Sequence, residues 1–65
     1  MNNEKISKTL IALRGSQSQS QVATALGISA SALSMYERGE RIPRDNIKEK
    51  IAHYYGKEVG QIFYA

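Results

Sequence analysis

The apolar residues of this chain fall into five short sets at helical spacing. Ile6, Leu10 and Leu13 make one stripe, Val22, Ala23 and Leu26 a second, and Leu33 with Tyr36 a third. Ile47, Ile51, Tyr54 and Tyr55 share a fourth face, and Val59, Ile62 and Phe63 end the chain with a short fifth. Side chains three and four apart lie on one face of a helix, so each set is the inward stripe of one element. No stretch alternates apolar and polar residues for long enough to compete as a strand. The pattern predicts an all-α fold: a compact bundle of about five helices joined by connections of a few residues. Neither a second domain nor a repeat is visible, and residues 1–65 read as a single domain.

Start and stop signals sharpen the pattern. Asn2 or Asn3 can cap a first helix from about Glu4 to Arg14, with the acid near the positive end and the base near the negative end. Gly15 stops it. Ser18 and Gln21 have the spacing of a capping box, a register that leaves Val22 and Leu26 inward. Gly27 suits the left-handed position that ends a helix, and Ser29 follows as the N-cap of the next, with Ile28 and Leu33 placed as a hydrophobic staple. The stretch Ser18 to Arg38 therefore reads as two helices meeting across one bend. Ala23, small and inward, lets them cross closely at the roughly 90–120° of a helix-turn-helix. Gly39 ends the third helix, Pro43 sits near the start of the next, and the fourth runs from about Asp45 to Tyr55 until Gly56 closes it.

Composition bounds what such a bundle can be. A chain of 65 residues buries only about 60% of its unfolded surface, so its stability is marginal. It has no cysteine, which removes disulfides and thiolate-held zinc as staples. No apolar run approaches the roughly 20 residues of a membrane span, and the start MNNEKISK lacks the apolar segment of a signal peptide. A soluble, cytoplasmic protein is expected. The net charge of +3 favours an anionic partner, and its distribution says more than its size. Between Gly15 and Tyr36 no side chain is charged, while Arg38, Arg41 and Arg44 cluster just beyond with only Glu40 among them.

The runs Gln19-Ser20-Gln21-Val22-Ala23, Leu26-Gly27-Ile28-Ser29, Leu33 and Tyr36-Glu37-Arg38-Gly39, followed by Pro43, resemble the lambda-repressor/Cro-type, or XRE, family of helix-turn-helix transcriptional regulators. The likeness extends to Val59, Ile62 and Phe63. It implies a double-stranded DNA partner, with Gln19 in the first turn of the second helix on a phosphate and Ala30, Ser31 and Met35 at the base-contacting positions. It implies also that Arg44 approaches the minor groove, that Arg14 pairs with Glu37, and that the C-terminal end dimerises. The turn before Ser18 is shorter than is usual in the family, a departure that bears directly on the Arg14 pair.

Helical geometry turns Ala30, Ser31, Ser34 and Met35 outward once Leu33 and Tyr36 face in. Without a long bidentate donor, that face can read thymine methyl groups through Ala30 and Met35, make hydroxyl bonds from Ser31 and Ser34, and respond to DNA shape. Ala30 chosen for helix propensity and Met35 as an edge filler of the core are the bland alternatives. Gln19, Arg38, Arg41 and Arg44 are the expected phosphate contacts, and Tyr55, Val59, Phe63 and Tyr64 the expected dimer contact. His53 is the only histidine, so no metal site of the usual spacing can form, and no nucleophile with an adjacent base is present. The expectation is a Cro-like repressor, not an enzyme, binding a palindromic operator as a homodimer without cofactor, small-molecule substrate or membrane. The rival is a protein-interaction module, such as an antitoxin or the target of an antirepressor, whose working surface is the aromatic C-terminus.

Overall fold

A computed structural model describes residues 2–65. Five helices follow one another: α1 (Asn3–Arg14), α2 (Gln19–Leu26), α3 (Ala30–Glu37), α4 (Asp45–Tyr55) and α5 (Val59–Phe63). The all-α bundle expected from the pattern is what forms.

Each of the first three helices begins on the side-chain oxygen that the sequence placed there. Asn2, and not Asn3, accepts from the Lys5 amide at 3.0 Å, so α1 starts one residue earlier than Glu4. Ser18 and Gln21 make the reciprocal capping box: the Ser18 hydroxyl accepts from the Gln21 amide at 3.0 Å, and the Gln21 side chain accepts from the Ser18 amide at 3.1 Å. Ser29 accepts from the Ala32 amide at 3.0 Å. Between α2 and α3, Gly27 takes the left-handed conformation at φ 71°, and the Ile28 amide reaches back to the Ala23 carbonyl at 3.0 Å. The bond closes the helix end in the Schellman manner and sends the chain into α3 at a set angle.

The core gathers Ile6 and Leu10 of α1, Val22, Ala23 and Leu26 of α2, Leu33 and Tyr36 of α3, Ile51 and Ala52 of α4, and Ile62 and Phe63 of α5. Leu13, Ile28, Ile47, Tyr55 and Val59 pack at its edge. The inward face of α4 differs from the expected one. Lys48, Ile51 and Ala52 are buried, Ile47 and Tyr55 are half-buried, and Tyr54 is 37% exposed. A lysine thus joins the buried face that the pattern gave to Ile47, Ile51, Tyr54 and Tyr55. Its ammonium, on a residue 5% exposed, donates to the Tyr64 hydroxyl at 2.8 Å, lies 4.9 Å from the centre of the Tyr64 ring, and is 3.5 Å from the Asp45 carboxylate. The bond to Tyr64 and the charge of Asp45 hold the Lys48 ammonium above the ordinary lysine range, against a smaller opposing effect of burial. A buried cation is tolerable only with partners of this kind.

Among the four residues expected at a dimer contact, Phe63 is 2% exposed and lies with Ile62 inside the monomer's own core. Tyr55 packs half-buried at the core edge, its hydroxyl buried and without a hydrogen-bond partner. Val59 is also half-buried, and Tyr64 is 59% exposed.

Three substitutions test this packing. Gly39 sits at φ 73° with the Asn3 carbonyl oxygen 3.2 Å from where a Cβ would be, whereas Gly56 shares the backbone conformation (φ 67°) with nothing nearby. Both alanine variants lose about 1–2 kcal/mol from the left-handed backbone; Gly39→Ala loses measurably more than Gly56→Ala in denaturant unfolding. Tyr55→Phe removes an unpaired buried hydroxyl and leaves thermal stability unchanged or raises it, by up to about 1 kcal/mol.

Candidate nucleic-acid interface

The site is assembled where α1, α2 and α3 converge on one carboxylate. Glu37, in the last turn of α3, is 3% exposed. Its Oε2 accepts from Arg14 Nε at 2.8 Å and its Oε1 from the side-chain amide of Gln19 at 2.9 Å. The Glu37 carbonyl accepts from the Ser7 hydroxyl, and the Asn3 side chain donates to the Gly39 carbonyl at 3.3 Å, so α1 grips the C-terminal end of α3 along its length. The hydrogen bond from Arg14 to Glu37 holds the guanidinium pKa above its ordinary value; partial burial works in the opposite sense.

The short turn between α1 and α2 does not prevent the Arg14 pair. Arg14 bridges the turn itself: its Nη1 donates to the Gln17 carbonyl at 2.8 Å while Nε remains on Glu37. The Tyr54 hydroxyl donates to the Gln17 side-chain oxygen from the other side. A turn pinned at both flanks carries α2 into place with few residues.

The first bond of α2 closes at Val22, whose amide donates to the Ser18 carbonyl at 3.2 Å. The Gln21 amide is taken by the Ser18 hydroxyl, which leaves the Gln19 and Ser20 amides at the positive end of the helix. The Gln19 side chain lies beside them, half-buried.

Along α3, Ala30 and Ser31 are exposed and Ser34 and Met35 half-exposed, while Leu33, Tyr36 and Glu37 face in. The outward surface is small-sided and uncharged over a helix of eight residues, about 12 Å long at 1.5 Å per residue. A B-DNA major groove is about 12 Å wide.

Beyond α3 the cations are unequal. Arg38 is bound to Glu40 at 3.0 Å, in a pair more than half exposed on both sides, which stabilises little and exchanges readily. Arg41 and Arg44 are exposed and, among the described residues, in no ion pair. With Asn46 they line a cleft whose other walls are Ile28, Tyr36, Ile42 and Ile47. Arg44 is also the N-cap of α4 and makes no capping bond with its side chain, so its guanidinium is uncommitted.

The structure therefore brings Gln19, Ala30, Ser31, Ser34 and Met35 onto two adjoining helices, with Arg38, Arg41 and Arg44 on the following loop. The sequence did not disclose that Gln19 is bonded to Glu37. The only signal was a cap-proximal glutamine and an acidic residue 18 positions later in the chain, a pairing without meaning until the helices cross. No helix is long and apolar enough to cross a membrane, and among the described residues no group of three or more His, Cys, Asp or Glu side chains is placed to hold a metal ion.

Arg14→Met leaves a buried carboxylate without its cation and costs about 2–3 kcal/mol, less than a fully sequestered pair because Arg14 keeps some exposure. Changing Glu37→Met as well removes the uncompensated charge and recovers most of that loss, as chemical unfolding of the two variants measures.

Comparison with known proteins agrees with this geometry. A family model described as helix-turn-helix matches residues 5–62, from the first turn of α1 into α5. No curated protein and no solved structure matches the chain significantly. The match spans nearly all of the described fold, with the α2–α3 bend at its centre, and the chain belongs to the XRE-type helix-turn-helix family of DNA-binding regulators.

Proposed function

We propose that this protein is a sequence-specific regulator of transcription that acts as a Cro-like repressor, occupying a palindromic operator as a homodimer and excluding polymerase. One observation carries the reading: α3 turns an uncharged face of Ala30, Ser31, Ser34 and Met35 outward, and in the chain it follows the α2 N-terminus bearing Gln19 and precedes a loop bearing the exposed Arg41 and Arg44. Such a face can approach base edges closely, while the flanking groups bind the phosphates that supply most contacts in such interfaces.

Division of labour follows from the side chains. Gln19, Arg38, Arg41 and Arg44 hold the two strands, with Arg38 exchanging Glu40 for phosphate. Ala30 and Met35 meet thymine methyl groups, and Ser31 and Ser34 donate or accept at base edges. Neither hydroxyl discriminates as a bidentate arginine does, so DNA shape carries a large share of the specificity. A single helix of this length covers a few base pairs. Two copies about 34 Å apart on one face of the duplex give useful affinity, and Tyr64 with Val59 at the α5 end is the surface on which they meet. A protein-interaction role for the aromatic C-terminus is the weaker reading, because Phe63 and the Tyr55 hydroxyl are committed within the monomer.

Selection of bound duplexes from a random pool tests the proposal. A two-fold symmetric consensus with half-sites one helical turn apart supports it; recovery of no consensus, with affinity equal to that for random DNA, refutes it. On the selected duplex, Arg41→Ala and Arg44→Ala each lower the slope of log K against log salt by about one and weaken all sequences alike. Ser31→Ala leaves that slope intact and alters the preferred base at one position of each half-site.

A further inference from the structure

The bond between Gln19 and Glu37 has a directional consequence. A glutamine amide has an accepting oxygen and a donating nitrogen of nearly the same shape, and an unrestrained side chain presents either. A phosphate only accepts. A carboxylate also only accepts, so Glu37 Oε1, 2.9 Å from the Gln19 amide nitrogen, admits one orientation of that amide and excludes its flip. The amide nitrogen carries two hydrogens, of which this bond uses one. The second makes no hydrogen bond among the described residues.

Glu37 also does this without presenting a bare negative charge to DNA. Arg14 lies on its other oxygen at 2.8 Å, and the carboxylate is sequestered at 3% exposure. The carboxylate belongs to α3, the helix whose outer face meets the bases, while the amide it aims belongs to α2.

We propose that Glu37 is a positioning residue for DNA binding: it fixes Gln19 as an N–H donor toward a phosphate and so ties the backbone grip of α2 to the seating of α3. This rests on the DNA-binding reading above and deepens it. Glu37 itself touches no DNA. Its contribution is made wholly through Gln19, so the two are energetically one unit in binding although they are distinct in folding.

A double-mutant cycle separates these roles. Glu37→Gln, Gln19→Ala and the double variant are titrated with the selected duplex and with an unrelated one, and the thermal unfolding of each is recorded. Each single change weakens binding about ten-fold, equally on both duplexes, the loss of one hydrogen bond to a charged acceptor. The double variant binds no more weakly than Gln19→Ala, because the unit is lost only once. Losses that multiply, or a Glu37→Gln protein that unfolds earlier yet binds as the unaltered one does, would reduce Glu37 to a structural ion-pair partner and overturn the proposal. Should Glu37→Gln fail to fold, proton–nitrogen NMR of the unaltered protein decides. A Gln19 amide hydrogen slow to exchange in the free protein, with its geminal partner shifting when duplex is added, supports it. Two Gln19 amide hydrogens that exchange equally fast and do not shift with DNA overturn it. Failure of the unaltered protein to bind any duplex strikes the regulator reading itself and is seen before any variant is made.

Discussion

The carboxylate of Glu37 is the constraint on which the arrangement of the first three helices depends. Hydrophobic burial is non-directional and, in a chain of 65 residues without disulfides, supplies little surplus stability. Several helix arrangements could bury Val22, Leu26 and Leu33 equally well. A buried charge is more demanding. It is tolerated only when its donors arrive at the right distances, and here they come from α1 through Arg14 and from α2 through Gln19. The seating of α1 and of α2 against α3 is thus specified by one bond each, whose geometry admits little variation.

The same constraint shapes the outer surface. With Glu37 and Tyr36 turned in, the opposite side of α3 carries only Ala30, Ser31, Ser34 and Met35. That outward face carries no charge, and the nearest cations outside an ion pair among the described residues, Arg41 and Arg44, stand on the neighbouring loop. They are placed there by a loop ending in the buried Pro43 and by the start of α4.

At the far end a second buried charge closes the molecule. Lys48 ties α4 to the residue after α5 through the Tyr64 hydroxyl and lies under that ring, while Phe63 fills the core. The C-terminal aromatics therefore serve the monomer first. What they leave exposed, chiefly Tyr64 with Ile11 and Tyr54 elsewhere on the surface, sets an upper bound on any hydrophobic contact between copies.

Local chemistry was legible along the chain because it acts over three or four residues. The Asn2, Ser18 and Ser29 caps, the Gly27 bend and the inward stripes of the first three helices each depend on neighbours in sequence, and each forms as the spacing requires. So does the exposed face of α3, which follows from the phase of Leu33 and Tyr36. Relations between helices were not legible in this way. That Lys48 lies on the buried face of α4, that Phe63 is enclosed in the core, and that Gln19 bonds Glu37 from 18 residues away are all decided by how the helices cross. Periodicity gives the face of each helix, but only packing decides what that face meets and whether a polar group on it finds a partner.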